Sequence, residues 1–198
     1  MSPHRLAQFT DAIFAFSATI LVLNFVVPSV GGSDNAALAH SLIAQWPRLL
    51  AFLLSFGVVV NYWRLHSAMF VGVKTIDHRT IMYNVVLLIV AAFVPYATNV
   101  AGTYPALPAA AVLYSLTLLI AAVAGLALIR HLVVSNAYGP ETPSSAREAI
   151  GRVRLAVYIR IVGLAFAFFF PIVSYAIYWV VIVYYMMAGQ IDTYSAKD

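Results

Sequence analysis

The chain reads as an all-α integral membrane protein with six transmembrane helices per subunit, and three observations carry that prediction. Hydrophobic residues make up 63% of it and charged residues 9%, against about half and a quarter in a soluble domain. Stretches free of Asp, Glu, Lys and Arg run for the length of a bilayer crossing or longer. Once the crossings are laid out, ten of the eleven Lys and Arg residues fall on one side, as the positive-inside rule requires of a cytoplasmic face. The 198 residues therefore form one membrane domain, 1–198, not an aqueous core. The chain has no cysteine, which excludes a disulfide framework or thiolate metal site. Its net charge of +4 is not gathered into a basic run, so no nucleic-acid partner is expected.

A helix rises about 1.5 Å per residue, so a hydrocarbon core of about 30 Å takes about 20 residues. Ala12 to Ser33 carries no charge and gives the first span, near 8–30, which "GGSDN" breaks. It is longer than a signal-peptide core and lacks a convincing cleavage site. Pro47 suits the first turn of a second span, 46–73. Thr80 to Ile129 is free of charge for fifty residues, too long for one crossing, and "NVAGTYPALP" divides it into spans at 80–101 and 107–131. The polar, Pro/Ser-rich segment 132–152 reads as a cytoplasmic loop. Leu155 to Ile191 holds one charge, Arg160. Pro171 at its centre splits it into spans 153–170 and 172–189, a single kinked helix being the rival.

Six crossings place both termini in the cytoplasm of a cell-membrane protein, with Arg48 alone outside and Lys197 inside; five would leave Lys197 outside. Trp46, Tyr96, Tyr104, Tyr175 and Trp179 suit the outer aromatic belt, and Trp63, Tyr83 and Tyr158 the inner one.

Inside lipid, polar side chains mark what is special. Asp11 lies at the mouth of the first span. It reads either as a helix-start residue, with Thr10 as competing cap, or as part of a buried network. Arg5 does not face it, so partners come from other helices; His66 and Asn84 lie at similar depth. Asn24 reads either as interhelical glue or as a group on a water-filled path. Ser17 and Thr19 can bond back to their own helix. Phe9, Phe16, Ile20, Leu23 and Val27 share one helical face. Such a stripe is ordinary packing, or, repeated around an axis, stacked apolar rings that constrict a pore.

The residues that carry a resemblance are now in view. "RLAQFTDAIFAFSATILVL" resembles the Arg-x-x-x-Phe-Ser-Asp signature of the transmembrane protein 175 family of potassium channels, through Arg5, Phe9, Thr10 and Asp11. "YWRLHSAMF" and "IDHRTIMYNVVLLIVAAFVPYAT" continue the likeness with Trp63, His66 and Asn84, over about residues 5–100. The resemblance implies a cyclic homotetramer of the prokaryotic kind, six helices per subunit, with the first helix lining a central pore. It implies constriction at Phe16, Ile20 and Leu23 and a threonine, Thr19, beside it. It implies that the signature holds the cytoplasmic half together with Trp63, His66 and Asn84. A Thr-Val-Gly-Tyr-Gly filter is absent from the chain, as the resemblance implies. Thr10 stands for the usual serine, Phe16 for a common isoleucine, and Asn24 where many prokaryotic members carry glutamate.

The function expected is passive, potassium-preferring cation conduction, with no cofactor beyond the permeant K+, lipid and monovalent cations as partners, and no resident metal. The alternative is a secondary transporter or proton-conducting protein using Asp11 and His66, with Asp77 as a third carrier. No enzyme is expected: no His-Glu-x-x-His, Gly-x-Ser-x-Gly or Gly-rich phosphate loop occurs.

Overall fold

The computed structural model describes residues 2–30, 34–140 and 144–187, with no account of the side chains at 144, 145, 147, 186 and 187. Lys197 and the last residues of the expected sixth span, 188–189, lie outside the described residues. Among the described residues seven α-helices form: α1 Pro3–Ile20, α2 Asn35–Ile43, α3 Trp46–Phe70, α4 His78–Thr103, α5 Pro108–Val134, α6 Ser144–Ala167 and α7 Pro171–Met187. A 3-10 turn, Leu21–Asn24, continues α1. Four segments among the described residues are long and apolar enough to cross a membrane: Pro3–Asn24, α3, α4 and α5. The 26 residues of α4 reach about 39 Å, more than the hydrocarbon core.

Local chemistry sets the ends. Ser2 caps α1 by accepting from Arg5 N–H at 3.3 Å, and Pro3 opens it with no donor to satisfy. Neither Thr10 nor Asp11 starts this helix, which corrects the helix-start expectation. The helical path stops at Asn24 instead of 30, and Phe25 is already extended. Pro28 disfavours helix at Val27, the residue before it. Helix α2 was not anticipated; Asp34 caps it by accepting from Ala36 and Ala37 N–H at 2.9 and 3.1 Å. Helix α3 stops at Phe70, short of 73, and Gly72 adopts a positive φ of 78° just beyond. Asp77 caps α4.

The expected loop 132–152 is also corrected. Helix α5 runs to Val134 and α6 begins at Ser144. Part of that polar segment lies on a helix, where Arg152 donates to Glu148 at 3.2 Å, one turn apart. The remaining connector is fixed to the α3–α4 turn: Lys74 N–H donates to Ala137 O at 2.8 Å, and Tyr138 Oη to Met69 O at 2.7 Å.

The core runs between α3, α4 and α5, around Leu54, Val58, Val94, Tyr114, Leu118 and Leu128. Small residues on α5, among them Ala110, Ala121, Ala122 and Ala124, are buried, so backbones approach closely, as helices in lipid require. The chain breaks between Ala167 and Pro171, and α7 returns against α6, with Tyr178 Oη donating to Arg160 O at 3.5 Å.

Candidate conduction site

Helix α1 is divided lengthwise. Leu6, Thr10, Phe14 and Ser17, then Leu21 and Asn24, are buried against the subunit. Phe9, Phe16 and Leu23 are 57%, 64% and 74% exposed, and Ile20 is half-buried on the same side. Val27, 89% exposed, lies past the helical turn, so helical spacing does not carry the stripe that far. Thr19 stands beside the stripe, exposed, donating its hydroxyl proton to Phe16 O at 2.9 Å. Ser17 is turned inward and bonds back to Ile13 O at 2.8 Å.

In its N-terminal half α1 is tied to the subunit by an exposed bond and by a buried chain. Trp63 Nε1 on α3 donates to Asp11 Oδ1 at 2.9 Å. Thr10 Oγ1 donates to Leu6 O at 3.0 Å and accepts from Asn84 Nδ2 at 2.9 Å, and Asn84 Oδ1 lies 2.9 Å from His66 Nε2. The chain His66–Asn84–Thr10 thus joins α3, α4 and α1. Asp11 has Trp63 as its partner, not His66 or Asn84. Arg5 is exposed and makes no side-chain hydrogen bond or ion pair among the described residues.

Asn24 is buried and faces α4, donating to Pro95 O and accepting from Asn99 Nδ2, both at 3.2 Å. Both ends of its amide are engaged with the neighbouring helix, so it joins helices. Asp77 accepts from Thr80 N–H and Oγ1 at 2.8 and 2.7 Å and pairs with His131 at 2.8 Å. Those bonds, the backbone one first, hold its carboxyl well below the usual carboxylate range. Its partner is His131, so it does not extend a relay through Asp11 and His66.

Some polar groups escaped the sequence reading. Thr98 Oγ1 donates to Val94 O at 2.8 Å and lies 2.7 Å from Ser55 Oγ, which lies 2.9 Å from Tyr114 Oη, and Tyr62 Oη donates to Leu118 O at 2.8 Å. Hydroxyls at mid-helix positions of α3, α4 and α5 were the available signal. Arg160, counted among the basic residues of the cytoplasmic side, is buried inside the bundle, its guanidinium 5.2 Å from the centre of the Tyr62 ring. No group of three His, Asp or Glu side chains able to hold a metal occurs among the described residues.

Apolar helices of crossing length, tied together by buried polar bonds, define a polytopic α-helical membrane protein. The family described as endosomal/lysosomal potassium channel TMEM175 matches residues 5–95. A Streptomyces collinus protein named potassium channel is 34% identical over 82% of this chain and 82% of its own. A Chryseobacterium protein of the same name is 30% identical over 100% of both chains. The crystal structure of a lysosomal potassium-selective channel TMEM175 homolog from Chamaesiphon minutus matches with a TM-score of 0.84. It is 26% identical, over 96% of this chain and 98% of that one. The chain belongs to the TMEM175 family, which is a family of ion channels and not of enzymes, and it has that channel fold. The resemblance carried by Arg5, Phe9, Thr10 and Asp11 therefore holds.

Proposed function

We propose that this protein is a passive, potassium-preferring cation channel of the cell membrane. In this reading it is a homotetramer of six-crossing subunits with both termini in the cytoplasm. Helix α1 of each subunit lines a central pore, and Phe16, Ile20 and Leu23 form apolar rings spanning about 10 Å of its length. The observation that carries the proposal is the apolar stripe on α1, which a single subunit leaves largely exposed while it buries the opposite face of the same helix. Cyclic symmetry closes such a stripe around an axis. The potassium-channel names of the bacterial relatives support the ion preference.

The residues then divide the work. Apolar rings offer a permeant ion no replacement for its hydration shell, so their diameter sets the barrier. Thr19 has given its proton to the Phe16 carbonyl, which leaves its oxygen lone pairs available to a partly dehydrated cation beside the constriction. The Phe16 ring adds a π face that attracts cations. Asp11 and the His66–Asn84–Thr10 chain hold α1 in place and do not themselves conduct.

Bi-ionic reversal potentials, potassium against sodium, on purified protein in planar bilayers test this reading. Unitary current steps with a potassium-favouring reversal potential are expected. Phe16→Ala and Leu23→Ala each raise conductance and relax the preference. Unchanged currents in both variants, or saturating coupled flux without steps, would overturn it. Native mass of the lipid-embedded protein is expected to give four subunits.

A further inference from the structure

A small cavity of about 20 Å³ lies between α3, α4, α5, α6 and α7, with Asn61, Tyr62, His66, Arg160 and Tyr185 as its polar lining residues. Two of these side chains are almost fully buried, Arg160 at 4% and His66 at 1% exposure. Each keeps a buried nitrogen that has no partner among the described residues: Nε of Arg160 and Nδ1 of His66. Arg160 Nη1 donates to Ala156 O at 3.1 Å, and the guanidinium lies beside Tyr62.

The hydrogen-bond directions are fixed from the far end. Thr10 Oγ1 spends its proton on Leu6 O, so it accepts from Asn84 Nδ2. Asn84 then presents its oxygen to His66, and His66 Nε2 must carry a proton. A second proton on the ring would place two buried cations beside one cavity that no carboxylate lines. The imidazole is therefore neutral, and Nδ1 offers a lone pair. The residues around the cavity thus include an unpartnered donor, Arg160 Nε–H, and an unpartnered acceptor, His66 Nδ1.

That pairing selects the occupant. A halide satisfies Arg160 but meets the His66 lone pair, and a cation does the reverse. Water accepts from the first and donates to the second, and the volume suits about one water molecule. We propose that the cavity holds one structural water bridging Arg160 Nε to His66 Nδ1. The bridge extends the Thr10–Asn84–His66 chain to α6, so that four helices share one line of hydrogen bonds. Arg160 is then a positioning residue for the buried face of α1, acting through water and two side chains.

Solid-state NMR of the full chain in bilayers, with ¹⁵N-labelled histidine and His66 assigned through His66→Gln, tests it. In the unmodified protein His66 is expected as the Nε2–H tautomer, with a hydrogen-bonded Nδ1 and magnetisation transfer from water protons. Arg160→Lys keeps that transfer, because an ammonium still donates to the water. Arg160→Met loses it while the tautomer stays. An Nδ1–H tautomer, or no water transfer in the unmodified protein, overturns the proposal whether or not the variants fold. So does an anomalous peak in the cavity of crystals grown in bromide, which would make the occupant a halide.

Discussion

Thr10 has one hydroxyl and serves two partners with it. Its proton goes to Leu6 O and its lone pair receives Asn84 Nδ2. Serine keeps both functions, which is why a threonine is tolerated where the signature usually has serine. Valine has the same shape and neither function. Thr10→Val strands the Asn84 amide inside the bundle, at a cost of about 1–3 kcal/mol, so the variant should melt well below Thr10→Ser and the parent in detergent. Equal melting temperatures for Thr10→Val and Thr10→Ser would refute the role. At this scale the sequence disclosed types but not pairings. Asp11, Trp63, His66 and Asn84 all stood out as polar or amphipathic groups in apolar helices. That Asp11 takes Trp63 while Thr10 takes Asn84 depends on helix rotation, which residue spacing on separate helices does not determine. Asn24 shows the same limit: its depth was legible, its direction towards Pro95 and Asn99 was not.

Between elements, two joints can be broken selectively. Helices α6 and α7 meet where Gly163 lies against Tyr178, and a β-carbon at Gly163 would overlap that ring. Gly163→Ala is expected to cost about 1–3 kcal/mol by overpacking, and Tyr178→Leu in the same chain should recover part of it, both read from melting curves. A Gly163→Ala protein as stable as the parent would mean the hairpin packs otherwise. The second joint is Asp77, which caps α4 and reaches His131 near the end of α5. Its carboxyl is held below its ordinary value, so its contribution is complete above about pH 3.9 and lost only as pH falls through the depressed value. Asp77→Asn should therefore melt below the parent by a margin that does not shrink from neutral pH to about pH 4 and closes at lower pH. A margin that vanishes between pH 7 and 5 would contradict this. Element positions were legible because lipid demands long charge-free runs. Element ends were less so. Composition marked 132–152 as loop, yet helix α6 enters it, since charged residues at the solvated end of a helix look like a loop to a hydropathy count. The short helix α2 is not legible in the sequence because its nine residues show little periodicity.

For the whole molecule, the asymmetry of eleven basic residues and the lengths of six helices must agree on one topology, and the chain allows a direct check. It contains no cysteine, so single cysteines report position without any background substitution. Ser29 and Tyr104 are exposed at the ends of segments that the proposed topology puts outside, and Thr75 and Ser135 at ends that it puts inside. In intact cells, a membrane-impermeant maleimide should label Ser29→Cys and Tyr104→Cys at once, and Thr75→Cys and Ser135→Cys only after permeabilisation. The reverse pattern would invert the orientation. Ser29→Cys and Thr75→Cys labelling from the same side would remove the crossing made by α3. Lys197→Cys separates the remaining choice, protected in intact cells if α6 and α7 each cross and labelled if together they cross once. The physical basis is that α6 carries Glu148, Arg152 and Arg154 near its start and buries Arg160 further along. Its hydropathy is therefore low for a spanning helix. It can cross only if Arg160 is shielded by Tyr62, the Ala156 carbonyl and the His66 cavity, because an exposed guanidinium near the bilayer centre is costly.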